Sequence, residues 1–120
     1  MIEASCHCGK VNIKVPDSTT KVTSCNCSIC RRFGTLWAHF DPKTVIINCD
    51  ESELGTYSWG DKSINFHHCK DCGCVTHYSP TETGNQQRMA VNFRLVSLEV
   101  LNAIQIRYLD GADTWAFVEK

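Results

Sequence analysis

No stretch of this sequence is apolar enough to cross a bilayer. The longest run free of Asp, Glu, Lys and Arg is the ten residues from Cys72 to Thr81, about half of what a membrane-spanning helix needs. An excess of charge is missing too: twelve Lys and Arg stand against thirteen Asp and Glu, a formal charge of −1 with no run of one sign. No field therefore exists to hold a nucleic acid or an anionic membrane surface, and neither is expected as a partner. There is no internal repeat, no low-complexity tract and no linker. The opening Met1-Ile2-Glu3-Ala4-Ser5-Cys6 has neither the basic start nor the apolar core of a secretory signal, so the expected location is cytoplasmic. With 42% apolar residues, 120 residues suffice for one core and one domain spanning 1–120.

What the sequence has in abundance is cysteine, nine in all. In a reducing compartment that density is not explained by disulfides, which small secreted domains use instead. Seven of the nine fall in tight clusters: Cys6-x-Cys8-Gly9, Cys25-x-Cys27-x-x-Cys30 and Cys69-x-x-Cys72-Gly73. A Cys-x-x-Cys turn followed by Gly lets two sulfurs converge on one ion while the Gly relieves crowding behind the turn. In an extended chain Cys25 and Cys27 share a face, and a turn through Ser28-Ile29 returns Cys30 to it. Structural zinc takes four ligands and catalytic zinc keeps a position open. The count therefore suggests a closed site on Cys6, Cys8, Cys69 and Cys72 and an open one on Cys25, Cys27 and Cys30. Ferredoxin spacings are not matched, although a single iron on four thiolates is compatible with the spacing.

Alternation dominates the rest of the chain. Val11, Ile13 and Val15 repeat at period two, as do Leu36, Ala38 and Phe40, then Ile64, Phe66 and His68, then Met89, Val91 and Phe93. That is the half-buried strand signature of a mainly β domain. Turn residues separate the runs at Pro16-Asp17-Ser18, Asp41-Pro42-Lys43, Gly60-Asp61-Lys62 and Gly84-Asn85. Residues 56–59 and 63–69 read as a hairpin that leads into the Cys69 knuckle, and only 97–104 reads as helical.

Taken together, Cys-x-Cys-Gly near the start, Cys-x-Cys-x-x-Cys about twenty residues on, a later Cys-x-x-Cys-Gly, Ala90-Val91-Asn92-Phe93-Arg94 and the Leu109-Asp110-Gly111-Ala112-Asp113-Thr114-Trp115 segment resemble the glutathione-dependent formaldehyde-activating enzyme and centromere protein V family. The resemblance covers nearly the whole chain. It implies a β-tent fold of small antiparallel sheets with two zinc ions, a structural one on Cys6, Cys8, Cys69 and Cys72 and a second on Cys25, Cys27 and Cys30. It also implies a carbon-sulfur lyase that condenses formaldehyde, or a related aldehyde, with glutathione, or a related thiol, to an S-hydroxymethyl adduct. Cys25, Cys27 and Cys30 are then the catalytic residues. Three thiolates weaken zinc as a Lewis acid, so delivery of the substrate thiolate is the favoured role.

Arg31 and Arg32 follow the open cluster, a position expected to bind the carboxylates of glutathione or another anionic ligand, against the plainer reading of solvated surface. Gly34, Trp37 and His39 are candidate pocket walls, and Asn92 and Arg94 share one strand face by alternation. His67, His68 and His77 lie near the later knuckle, His77 being a candidate fourth ligand or proton shuttle against the plainer reading of a packed residue. Cys49 is expected in the core, and Cys74 is either a packed small hydrophobe or an alternative ligand. Two other function classes compete with the enzyme: a non-catalytic zinc-stabilised binding module, and a thiol redox or metal-buffering protein. The vacant coordination position of the three-cysteine cluster favours chemistry.

Overall fold

Alternating apolar residues put eleven short strands into two sheets in the computed structural model, which describes residues 1–119. In chain order they are β1 (Ile2–Ser5), β2 (Asn12–Val15), β3 (Lys21–Cys25), β4 (Trp37–Phe40), β5 (Ile46–Asn48), β6 (Leu54–Ser58), β7 (Ile64–Cys69), β8 (Val75–Pro80), β9 (Met89–Asn92), β10 (Gln105–Leu109) and β11 (Phe117–Val118). Two short helices interrupt them, α1 (Cys30–Phe33) and α2 (Leu98–Ala103). Strands β1, β2 and β5 form a small antiparallel sheet. The other eight form a larger one in the order β11-β10-β3-β4-β9-β8-β7-β6.

The mainly β architecture is thus the one that the sequence pattern announces, with two differences. The larger sheet is mixed rather than purely antiparallel, because β3 pairs parallel with β10 from Lys21↔Gln105 to Cys25↔Leu109. A second helix, α1, also exists beside α2. It is one turn long and is started by sulfur: Cys27 Sγ accepts the Cys30 N–H at 3.4 Å and the Cys27 carbonyl accepts the Arg31 N–H at 3.1 Å. Gly34 ends it in the left-handed region at φ 68°, where a β-carbon would be strained. Helix α2 starts where expected, with the Ser97 hydroxyl accepting the Val100 N–H at 3.3 Å as an N-cap.

The period-two pattern divides the large sheet into two working faces. Leu36, Ala38, Met89, Val91 and Phe93 turn to one side and join Ala4, Val11, Ile13 and Val15 of the small sheet in the main core. Trp37, Phe66, Tyr78 and Ala90 turn to the other and form a second cluster with Cys25 and Cys30. Trp37 and Tyr78 meet edge to face at 5.0 Å, and Phe66 stands 5.8 Å from Tyr78, a geometry that aromatic quadrupoles favour. No helix among the described residues is long and apolar enough to cross a membrane.

Candidate metal centres and active-site cleft

Two knuckles face each other, one after β1 and one after β7. In the first, the Cys6 N–H donates to the Val11 carbonyl and the Gly9 N–H to the Cys6 carbonyl, both at 3.0 Å. In the second, the Cys69 N–H donates to the Cys74 carbonyl at 3.0 Å and the Gly73 N–H to the Cys69 carbonyl at 2.9 Å. Gly9 and Gly73 have φ of 85° and 79°, so each tight return needs a residue without a β-carbon. Lys10 and Asp71 pair across the two turns on the surface; so exposed a pair contributes little by itself.

This arrangement brings together the four thiols of Cys6, Cys8, Cys69 and Cys72, all within 4.8 Å of one another. The Cys8 sulfur lies 3.6 Å from those of both Cys6 and Cys69, close to the ~3.8 Å that separates sulfurs placed tetrahedrally at ~2.3 Å around one ion. The Val11 N–H points at Cys6 Sγ from 3.3 Å. Backbone N–H groups of Cys74 and Cys8 draw the pKa of Cys72 down to about 5, favouring the thiolate that a soft metal requires. The donor set fits a closed metal site. Cys74, half-buried, is not part of that group of four and packs against the main core. Cys49 also packs at the margin of the core, half-buried rather than enclosed.

Cys25, Cys27 and Cys30 form a second group, with sulfurs again within 4.8 Å of one another. Strand β3 delivers Cys25, and the first turn of α1 returns Cys30. The Trp37 indole Nε1–H donates to Cys30 Sγ at 3.4 Å, and the N–H of Cys30 itself reaches Cys27 Sγ. Burial opposes ionisation of Cys27, but the Cys30 N–H and the two flanking thiols outweigh it and hold its pKa below the ordinary thiol value. Burial raises Cys25 and Cys30. Three sulfurs in one cluster suit a metal that keeps a coordination position free.

These three thiols line a cleft of about 720 Å³, a size typical of small-molecule sites. One wall comes from the hairpin of β6 and β7, with Trp59, Ile64 and Phe66, and the opposite one from the C-terminal part, with Leu109, Trp115 and Phe117. Strands β6 and β11 are the two edges of the same sheet, so the sheet must curl until its edges approach across the cleft. Trp37 and His39, expected as walls, do line it; Gly34 does not.

The cations of the cleft are Arg88 and Arg107, and its one acid is Asp61. Arg107 lies 3.6 Å above the Phe117 ring, and the positive charge of Arg88 acts on the Tyr78 phenol, opposing the effect of burial. Burial pushes the Tyr78 phenol up, so it stays protonated at neutral pH. Arg31 and Arg32, expected to grip the ligand, are exposed on α1 and line none of it. Arg32 Nη1 instead donates to the Ser28 carbonyl at 2.7 Å. The helical turn that brings Cys30 back to its partners carries the next two side chains outward.

Asn26, which carried no expectation, clamps the rim. Its Nδ2 donates to Asp110 Oδ1 at 3.1 Å, its Oδ1 accepts the Ala112 N–H at 2.9 Å, and its own N–H donates to the Leu109 carbonyl at 3.2 Å. A polar residue between two ligand-type cysteines was the only available signal. Gly111, in the segment so clamped, is buried against the thiols: a β-carbon there would stand 2.5 Å from Cys25 Sγ.

The remaining candidates belong to the framework. Asn92 is buried, accepts the N–H groups of Leu36 and Arg94, and donates to the Val75 carbonyl at 2.8 Å. It thus tethers three segments instead of sharing a polar face with Arg94, whose Nε donates to the Gly34 carbonyl. His77 is enclosed, stacked at 4.5 Å on His67, and bonded through Nδ1 to the Thr76 hydroxyl. It belongs to neither thiol group. His68 packs its ring against Gly55, where a β-carbon would meet it at 2.3 Å.

Comparison with known proteins bears on the same features. A crystal structure of a Rhodobacter sphaeroides protein superposes with a TM-score of 0.70 over 88% of this chain and 99% of that one, at 24% identity, which shows a shared fold. No curated protein matches the chain. The model of the glutathione-dependent formaldehyde-activating enzymes matches residues 1–106, a span that includes both knuckles, the three-cysteine cluster and strands β1 to β9, while the cleft wall formed by Leu109, Trp115 and Phe117 lies beyond it. Coverage of that extent identifies the chain as a member of the glutathione-dependent formaldehyde-activating enzyme family.

Proposed function

We propose that the chain is a zinc-dependent carbon-sulfur lyase that condenses an aldehyde with glutathione at the Cys25, Cys27 and Cys30 cluster, the four-cysteine site being structural. The observation that carries this reading is the difference in setting between the two thiol groups. Cys6, Cys8, Cys69 and Cys72 use up four positions of one ion, whereas Cys25, Cys27 and Cys30 offer three and border the cleft. A zinc ion held there would supply the positive charge that keeps a substrate thiol ionised near neutral pH.

The residues of the chain do the rest. Arg88 and Arg107 meet the two carboxylates of the tripeptide, the role expected of Arg31 and Arg32, and Asp61 meets its ammonium group. As the glutathione sulfur bonds to the carbonyl carbon, the C=O π pair moves to oxygen, which takes up the proton that the thiol gives up. The Tyr78 hydroxyl, kept protonated by burial and lining the cleft, is the donor suited to stabilise that oxygen.

The test is the zinc content of protein purified without chelator, combined with the rate of adduct formation followed by exchange NMR. Wild type is expected to hold two zinc ions per chain. Cys27→Ser should retain one and lose at least about tenfold in rate, in line with loss of a metal ligand. Tyr78→Phe should keep both ions and slow the reaction alone. One tightly held zinc, unaffected by glutathione, would favour the non-catalytic binding module, and a wild-type rate in Cys27→Ser would overturn the proposal.

A further inference from the structure

The walls of the cleft exceed what formaldehyde and glutathione need. Formaldehyde has two heavy atoms and no apolar substituent, and glutathione is a polar tripeptide with two carboxylates and one ammonium. Arg88, Arg107 and Asp61 can answer those charges. That leaves the apolar walls without a ligand group of their own kind, and three of the side chains on them are aromatic and exposed: Trp59 at 52%, Trp115 at 67% and Phe117 at 47%. The only other aromatic of that exposure among the described residues is Tyr57. Large exposed apolar side chains gathered in one concavity mark a surface that a ligand covers.

Position adds to composition. The two tryptophans arrive from opposite edges of the curled sheet, Trp59 at the β6–β7 turn and Trp115 just before β11. Trp115 is held in the left-handed region at φ 57°, a conformation that is costly for a bulky residue and persists only where the surroundings fix it. Its N–H donates to the Asp110 carbonyl at 2.7 Å, and Asp110 is bonded in turn to Asn26. The indole is thereby tied, through the rim, to the chain between two of the thiols.

We propose that the aldehyde taken by this site carries an aromatic or aliphatic group on its carbonyl carbon, and that Trp59 and Trp115 are the residues that select it. The inference rests on the glutathione reading above and concerns only the second substrate. In the reaction the glutathione S–H adds across the C=O of R–CHO to give GS–CH(OH)–R. One S–C bond forms, the thiol proton goes to oxygen, and nothing is oxidised or reduced. The carbonyl end sits at the thiols and the R group lies against the tryptophans.

Two stable conjugates separate the alternatives. S-benzylglutathione copies the benzaldehyde adduct without its hydroxyl, and S-methylglutathione does the same for the formaldehyde adduct. Neither has a free thiol, so titration calorimetry on the zinc-loaded protein reads the cleft and not turnover. S-benzylglutathione is expected to bind at least about tenfold more tightly, as burial of one phenyl group warrants. In Trp59→Ala and Trp115→Ala, which remove exposed side chains, that preference should fall to within about twofold. Equal binding of the two conjugates would overturn the inference and leave the glutathione reading standing. A preference that survives both substitutions would overturn the assignment to the tryptophans, and failure of both conjugates to bind would overturn the inference and the glutathione reading together.

Discussion

Gly111 has no side chain, and the reason lies in the space beside it. A β-carbon would stand 2.5 Å from Cys25 Sγ and 3.2 Å from Cys27 Cβ, closer than non-bonded atoms tolerate. Relief cannot come from the glycine side, since Asn26 anchors both Asp110 and Ala112. Gly111→Ala should therefore displace the Cys25 sulfur rather than the loop. The expected outcome is a fall of about 10–100-fold in affinity for the second metal ion, the range seen when groups that orient ligands are disturbed, while the four-cysteine site keeps its ion. Competition with a chromophoric chelator measures both affinities, and equal weakening of the two sites would argue against a local cause.

At the scale of elements, the β7–β8 pair carries a titratable feature apart from the cleft. His67 and His77 face each other across the ladder and stack at 4.5 Å. The hydroxyls of Thr56 and Ser79 hold both nitrogens of His67, at 3.0 and 2.7 Å. Burial, and then His67, push His77 down to about 3. Because the folded state refuses a proton that the unfolded chain accepts below about 6.5, this residue's contribution to stability is whole above that pH and is lost as pH falls toward 3. His77→Gln should flatten the decline in unfolding free energy between about pH 7.5 and 5.5 by about 1 kcal/mol. Denaturant titrations at the two pH values, on zinc-loaded protein, provide the measure, and an unchanged slope would show that His77 does not titrate on unfolding. Of the two strands that hold this pair, β7 was legible in the sequence through its period-two alternation, whereas β8 was not, because Thr76, His77 and Tyr78 are buried in succession and leave no alternation to read. Helix α1 was not, since four residues are too few to show a period and a cysteine sulfur starts it. Nor was the parallel pairing of β3 with β10, whose paired residues lie 84 positions apart and carry no shared turn. The cysteine knuckles were legible because the spacing within each is local, whereas the pairing of the first with the last, 61 residues on, followed from counting ligands. Adjacency to Cys30 did not bring Arg31 and Arg32 to the cleft, because a helical turn rotates neighbours apart and leaves both on the solvated surface, whereas Arg88 and Arg107 line it from distant parts of the chain.

Across the whole molecule the four-cysteine group joins the end of β1 to the end of β7, Cys8 and Cys69 being 61 residues apart. An unfolded chain must give up substantial freedom to bring such distant residues together, and a metal bound only by the folded state returns that cost as folding free energy. Cys6 and Cys69 are 3% and 0% exposed and sit within the main core, so without an ion only the backbone hydrogen bonds of the two knuckles would keep these thiols in place. The three-cysteine cluster differs: Cys25, Cys27 and Cys30 lie within a span of six residues, and the strands around them are paired independently of any metal. Removal of a ligand from each site should therefore give unlike results. Cys6→Ser or Cys69→Ser is expected to destabilise the protein by about 4 kcal/mol or more, as losing a structural metal does. It should abolish the dispersed amide spectrum at room temperature, whereas Cys27→Ser should keep that spectrum and shift only resonances near the cleft. Amide NMR of the three variants, with zinc supplied, decides the matter. If Cys27→Ser unfolded and Cys6→Ser did not, the structural and open sites would have to be exchanged.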